Sequence, residues 1–437
     1  MQSSVNKVAA KLSLLPLLTF VALFLGAGLY LQSQGVDYAF YQLPAPVAIL
    51  PAIVVAFLIN KASINQSVET FIKGAGHSNI ITMCLIYLLA GAFSAVAGAT
   101  GGVDAVVNAG LSLIPASFLL PGLFLISAVV STAMGTSMGT IGAIGPIAYA
   151  VSLKTGIDPA LMAGTIVSGA MFGDNLSIIS DTTIAATRTQ GCEMKDKFRE
   201  NLKIALPAAL LTVLLLVFLT PEPQAVETKA FDWLLVLPYI FILVLAVAGL
   251  NVFVVLFSGI VFAAAMGFMG NYEVGNFAKD IYKGFSDMQE IFLLSMFIGG
   301  LSEFIRVNGG LDYLAAKIQT LTAIVAKWHR KVADQLGIAA LVLTSNLCIA
   351  NNTVSIIVAG PVAKKLADDG GISGKRSASL LDIFACVMQG SLPYGAQALL
   401  LGATFKISPW DVSTSSFYCF ILAFTAIAVI CLRRDKA

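Results

Sequence analysis

Apolar runs follow one another along almost the whole chain, at roughly 14–31, 44–60, 79–99, 104–133, 141–153, 159–188, 203–219, 231–248, 250–269, 290–306, 310–326, 334–349, 354–367, 377–405 and 412–432. A helix rises about 1.5 Å per residue and needs about 20 apolar residues to cross a bilayer, so the longer runs predict membrane-spanning helices. Those at 141–153 and 354–367 are too short to span alone. They predict arms of re-entrant hairpins or half-helices, which a bilayer tolerates only where protein or a water-filled cavity satisfies the freed backbone groups. The pattern therefore predicts an all-α polytopic membrane protein with broken transmembrane helices.

Composition points the same way. Of 437 residues, 58% are hydrophobic and 11% charged, against about a quarter charged in a soluble domain. The excess apolar surface belongs against lipid, which makes membrane lipid a partner and excludes a soluble protein. A net charge of +2 gives no basis for nucleic-acid binding. Lys7 and Lys11 precede the run from Leu14 to Leu31, which reads as an uncleaved first membrane helix because no A-x-A-like site follows it. Lys195, Lys197 and Arg199 in the loop from Arg188 to Lys203, and Arg433, Arg434 and Lys436 in the tail, place both segments, including the C-terminus, in the cytoplasm of a multi-pass plasma-membrane protein. Clusters at Lys327, Arg330 and Lys331 and at Lys364, Lys365, Lys375 and Arg376 leave the direction of the other spans open. Cys84, Cys192, Cys348, Cys386, Cys419 and Cys431 have no CxxC spacing and no grouping with His77 or His329, so no disulfide, resident metal or cofactor is expected. Trp233, Trp328 and Trp410 stand at run boundaries as interfacial anchors.

The chain also repeats itself. I-K-G at 72–74 matches Y-K-G at 282–284, G-G-V-D at 101–104 matches G-G-L-D at 309–312, and I-G-P at 144–146 matches A-G-P at 359–361, with offsets of 210, 208 and 215. Gly173 aligns with Gly390 at offset 217. Two matching halves imply pseudo-symmetry with a site at their interface. The expected organisation is N-terminal transmembrane helices at 1–60, a first repeat with a hairpin and an acid-bearing broken helix at 61–230, connecting helices at 231–269, and a second repeat with a hairpin and a neutral broken helix at 270–437.

The chemistry concentrates in F-G-D-N-L-S-I-I-S-D-T-T, Phe172 to Thr183, inside an otherwise apolar stretch. An acid at the centre of a membrane helix costs roughly 2.5 to 3.5 kcal/mol on insertion scales, so Asp174 and Asp181 need a cation, a proton or water beside them. Gly173 and the Asn, Ser and Thr side chains favour unwinding. Freed carbonyls, with the oxygens of Asp174, Asn175, Ser177, Ser180, Asp181, Thr182 and Thr183, would give the hard coordination a sodium-sized ion needs, and either carboxylate could take a proton instead. The second half carries Q-G-S-L-P-Y-G-A-Q, Gln389 to Gln397, broken by Pro393 and two glycines but without an acid. Asp382 reads equally as a further acid near the site or as an interhelical bond. G-T-S-M-G-T from Gly135 and S-N-L-C-I-A-N-N-T-V-S from Ser345 read as hairpin tips. The candidate substrate-facing set is thus Thr136, Ser137, Asn351, Asn352, Thr353, Gln389, Ser391, Tyr394 and Gln397. Glu303 and Arg306 are spaced to pair on one helix face, and Asp104 and Asp312, each after Gly-Gly, are expected as helix N-caps.

From Gly173 to Thr183 and the following I-A-A-T-R, the sequence resembles the NhaC-type sodium/proton antiporter family, whose signature is G-D-x-x-S-x-x-S-D-T-T after a helix. The match covers both acids, both serines and the threonine pair, although Ile178 follows Ser177 where many members carry Pro. The family belongs to the ion transporter superfamily. The resemblance implies two inverted repeats, paired re-entrant hairpins, broken helices and elevator-like alternating access. It also implies that Asp174 and Asp181 are the Na+ or proton ligands, supported by Asn175, Ser177, Ser180, Thr182 and Thr183.

The leading expectation is a secondary active transporter that exchanges Na+ for H+ at an intramembrane carboxylate, with no catalytic residues, no cofactor, and Na+ and H+ as cargo. The alternative keeps the architecture but couples the ion to an amino acid or organic acid as a small organic solute. A homodimer is left open. A channel would need symmetric rings of ligands, which the difference between 173–183 and 390–397 argues against. With two histidines and no clustered cysteine, no enzyme-like catalytic set stands out.

Overall fold

A computed structural model describes residues 7–36, 42–60, 62–102, 105, 108–109, 112, 118–178, 180–220, 231–270 and 272–432. Among these residues all regular structure is helical. In chain order the principal helices are α1 (Leu15–Ser33), α2 (Leu50–Ile59), α3 (Ile64–Ala75), α4 (Ser78–Ala99), α5 (Leu119–Met134), α6 (Ser137–Thr155), α7 (Pro159–Leu176), α8 (Asp181–Gln190) and α9 (Met194–Leu219). They continue with α10 (Trp233–Val247), α11 (Val252–Phe268), α12 (Val274–Asp287), α13 (Gln289–Val307), α14 (Gly310–Ile349), α15 (Asn352–Gly370), α16 (Gly374–Ser391), α17 (Ala396–Phe405) and α18 (Phe417–Leu432).

Polarity is arranged for a bilayer. Leu58, Phe218 and Phe424 are 78%, 77% and 73% exposed, while Asn175, Lys197, Asn201 and Asp382 are wholly buried. Water would reverse that distribution, whereas lipid solvates the apolar exterior directly. Among the described residues four helical stretches are long and apolar enough to span alone: Ala10–Leu31, Ser78–Ala99, Met194–Leu219 and His329–Ile349.

The repeat becomes regular in three dimensions. The outgoing hairpin arms begin at Ser137 and Asn352, the first halves of the broken helices run Pro159–Leu176 and Gly374–Ser391, and the second halves begin at Asp181 and Ala396. Every pair is offset by 215. Pro146 and Pro361 lie at the same turn of their arms. Even single hydrogen bonds repeat: Ser131 Oγ donates to the Ala170 carbonyl at 2.6 Å, and Asn346 Nδ2 donates to the Ala385 carbonyl at 2.9 Å. Each tip turns through a left-handed residue, Gly135 in one half and Ala350 in the other. Ala350, with its Cβ, holds that conformation at a cost of about 1–2 kcal/mol. The register corrects the alignment of Gly173 with Gly390. At 215 the counterpart of Asp174 is Gln389, and that of Thr182 is Gln397.

The repeats are inverted. The end of α6 lies beside the end of α17, with Tyr149 and Phe405 rings 5.4 Å apart. The end of α8 lies beside the middle of α15 and the start of α16: Gln190 Nε2 donates to the Gly360 carbonyl at 3.0 Å, and Ser377 Oγ donates to Gln190 Oε1 at 2.7 Å. An outgoing hairpin arm returns to the face its hairpin entered, whereas the second half of a broken helix continues to the opposite face. Each arm packs on the other repeat's second half, so the two hairpins enter from opposite faces. The outer helices obey the same two-fold relation. Gly74 of α3 crosses Gly299 of α13, and Gly284 of α12 crosses Gly91 of α4, each so closely that an added Cβ would fall 2.3 to 2.4 Å from the facing carbonyl oxygen.

Other expectations are refined by local geometry. The loop after α8 is only 191–193, and α9 starts at Met194, so Lys197 is not a loop charge. It lies one turn into α9, buried on the stripe that continues through Asn201, Ile204 and Ala208. Gly309, not Asp312, occupies the N-cap of α14, and Asp312 sits in its first turn. The backbone leaves helical geometry at His329, dividing α14 into two pieces. Glu303 and Arg306 do pair, at 2.6 and 2.7 Å. Asp104, the Trp328 side chain and the tail residues Arg433, Arg434 and Lys436 lie outside the described residues. Arg330 Nη2 donates to the Asp369 carbonyl at 2.7 Å, and Gly374 lies against the Gln190 carbonyl. These contacts bring the basic clusters near 195–199, 330–331 and 375 to one face, the face that the second hairpin enters.

Candidate functional site

Both hairpin tips and both helix breaks meet at one cavity of about 90 Å³. Local sequence explains the tips. Thr136 caps α6 by accepting a hydrogen bond from the Gly139 amide, and Asn351 caps α15 by accepting one from the Val354 amide. These caps satisfy orphan amides where a two-residue turn reverses the chain. The first break is held by Ser180, whose hydroxyl accepts from the Thr183 amide at 3.2 Å and caps α8.

Asp174 is buried at the end of α7, with its carboxylate on the cavity. Ser137 Oγ, from the first tip, donates to Asp174 Oδ2 at 3.3 Å. Ser137 in turn accepts from Gln397 Nε2 at 3.2 Å, and Gln397 Oε1 accepts from Gln389 Nε2 at 2.8 Å. Gln389 Nε2 also reaches the Ala350 carbonyl of the second tip at 3.3 Å. One chain of side chains thus joins the acid to its neutral counterpart and touches both tips. Asp181 differs. It also lines the cavity, but it is exposed and lies in the first turn of α8, where the helix dipole favours negative charge.

The model of the Na+/H+ antiporter family matches residues 4–221, the part that contains the first hairpin and the break bearing both acids. The chain belongs to the Na+/H+ antiporter family. It is 25% identical over 369 residues to the Na+/H+ antiporter NhaC of Alkalihalophilus pseudofirmus, covering 78% of this chain and 80% of that one. It is also 25% identical over 384 residues to the malate-2H+/Na+-lactate antiporter of Bacillus subtilis, covering 81% of each. The YdaH transporter of Alcanivorax borkumensis aligns over 95% of this chain and 97% of its own at 15% identity, with a TM-score of 0.41.

Of the residues expected at the site, this antiporter-family chain gathers Thr136, Ser137, Asp174, Asp181, Thr182, Asn351, Asn352, Thr353, Gln389 and Gln397 around the cavity. Others lie elsewhere. Ser391 Oγ donates to the Val387 carbonyl within its own helix, and Tyr394 OH donates to the Leu347 carbonyl at 2.7 Å with its ring against Phe20. Ser177 and Ser180 serve the break, and Asn175 and Thr183 turn away from the cavity. Two of the carbonyls freed at the break are taken by donors of the protein itself. The Asn175 carbonyl accepts from Lys197 Nζ and Asn201 Nδ2, and the Ser177 carbonyl accepts from Thr183 Oγ1. Met83, Ile86 and Met138 give the lining an apolar side, and Asn79 and Thr82 of α4 add further polar groups to it. Their signal was an i,i+3 polar pair at the head of an apolar run, easily read as a helix start.

Behind the break lies a second polar cluster. Lys197 and Asp382 form an ion pair at 2.8 Å with no solvent-accessible surface on either side chain. Asn201 Nδ2 and Asn175 Nδ2 donate to the same Asp382 oxygen at 2.7 and 3.2 Å, and Tyr418 OH donates to Asn175 Oδ1 at 3.0 Å. Of the two readings open for Asp382, the interhelical bond is the one observed.

Proposed function

We propose that the protein is a secondary active antiporter that exchanges Na+ for H+, with Asp174 as the carboxylate that alternately holds each ion. The carrying observation is a buried acid facing a small cavity lined by oxygen-bearing side chains at the meeting point of two inverted repeats. Burial disfavours a bare carboxylate, so Asp174 is neutralised by a proton or by a cation, and one displaces the other. Displacement couples the fluxes. Asp181, Thr182 and the tip residues add oxygen donors without adding a second buried charge.

Cavity size favours a cation over an organic solute. Its volume of about 90 Å³ is well below the roughly 300–1,000 Å³ of small-molecule pockets and suits an ion with a few waters. Basic clusters on one face support a cell-membrane orientation with that face, and the C-terminus with it, in the cytoplasm. In proteoliposomes, a sodium pulse is expected to move protons in the opposite direction, with malate, lactate and arginine leaving the rate unchanged. Absence of a sodium-dependent pH change would remove the proposal, and stimulation by one of those solutes would favour the organic-solute carrier.

A further inference from the structure

We infer that Lys197 is a positioning residue for the exchange: a built-in cation that ties the two halves of the broken helix together across the break and fixes where Asp174 and Asp181 stand. The inference rests on the exchange reading above. An ammonium has three protons to donate, and Lys197 Nζ finds three acceptors: the Asn175 carbonyl at 3.2 Å, Thr183 Oγ1 at 2.7 Å and Asp382 Oδ2 at 2.8 Å. Asn175 belongs to the last turn of α7 and Thr183 to the first turn of α8, so one side chain bridges the unwound segment. Asp382, on α16 of the other repeat, anchors the bridge to the second broken helix.

The repeat itself argues that the fold does not require this pair. At the offset of 215, Lys197 corresponds to Val412 and Asp382 to Val167, both wholly buried. The neutral break between α16 and α17 is therefore built with apolar residues at both equivalent positions. An ion pair without accessible surface is a poor way to gain stability, and apolar replacements are often neutral or stabilising. It stands only behind the break that carries the acids. There it occupies the carbonyl left free at Asn175 and gives the two neighbouring carboxylates different roles, with Asp382 permanently compensated and Asp174 left for the exchanged ion.

The test compares sodium dependence with folding. Lys197→Met/Asp382→Leu removes the pair without stranding a charge. It is expected to purify as a monodisperse protein with cooperative thermal unfolding, yet to need about 10–100-fold more sodium for half-maximal exchange, as when the supports of metal ligands are lost. Exchange at saturating sodium should fall much less. Thr183→Val keeps the ion pair but removes the Lys197 contact to α8 together with the Thr183 Oγ1 bonds to the Ser177 carbonyl and Ser180 Oγ, so it tests the hydroxyl link across the break even if the double variant does not fold. It should raise the half-saturating sodium concentration by at least about threefold, less than the roughly 10–100-fold expected for losing a whole supporting group, because Lys197 keeps its other two acceptors. A folded double variant, or a Thr183→Val protein, with wild-type sodium dependence would overturn the inference. A wild-type protein that exchanges no protons for sodium would instead overturn the exchange reading on which it rests.

Discussion

Asp174→Asn is expected to abolish sodium-driven proton movement while leaving the protein folded. The amide keeps the size of the side chain and can still accept from Ser137 Oγ, which donates to Asp174 at 3.3 Å. It can neither release a proton nor present a negative charge to sodium. Losing a buried charged partner costs about 2–5 kcal/mol, so exchange should fall by at least about thirtyfold at any sodium concentration. Asp181→Asn should do less. Asp181 is exposed at the start of α8, where water and the helix N-terminus already stabilise its charge, and its loss should appear as a higher sodium requirement with exchange retained. Sodium-dependent fluorescence of a trapped pH dye in proteoliposomes reads both variants.

The other large effect concerns stability. Asp382→Leu leaves the Lys197 ammonium, which has no accessible surface, with only a carbonyl and a hydroxyl as partners. Three donors then lose one acceptor at once, since Lys197, Asn201 and Asn175 all converge on Asp382 Oδ2. Breaking a buried pair from one side costs about 3–5 kcal/mol, more than removing both partners together. The single variant should therefore show a lower unfolding midpoint in detergent and a poorer yield than Lys197→Met/Asp382→Leu. Equal midpoints for single and double variants would mean that the pair carries little electrostatic energy.

Much of the architecture could be read from the sequence because hydrocarbon makes polar residues conspicuous. The segment from Phe172 to Thr183 stood out as charge and hydroxyl inside an apolar run, and the tips stood out as small and amide residues before Gly-Pro. The Gly-Pro pair had the right register. The alignment of Gly173 with Gly390 was two residues off because glycine alone carries no side chain by which to check a match, and the error hid the equivalence of Asp174 and Gln389. Side-chain direction was the harder matter. Asn175, Thr183, Ser391 and Tyr394 belong to the polar interruptions, yet their partners lie on α9, α14, α16 and α18 or within their own helix. Lys197 was concealed by its neighbours, since Lys195 and Arg199 are not buried with it and make the segment look like a basic loop. A helical stripe through Lys197, Asn201, Ile204 and Ala208 was the available clue. It has the i, i+4, i+7 spacing of a buried face that happens to begin with two polar residues.

In the proposed exchange, sodium and a proton compete for one carboxylate. The competition is measured most directly by adding sodium to the purified protein in weakly buffered detergent solution and recording proton release across a range of pH. Competition predicts proton release on sodium addition in the acidic part of that range, a half-saturating sodium concentration that rises by about tenfold for each unit of falling pH where the protonated form prevails, and neither effect in Asp174→Asn. Sodium binding with no proton release and no dependence on pH would contradict the account.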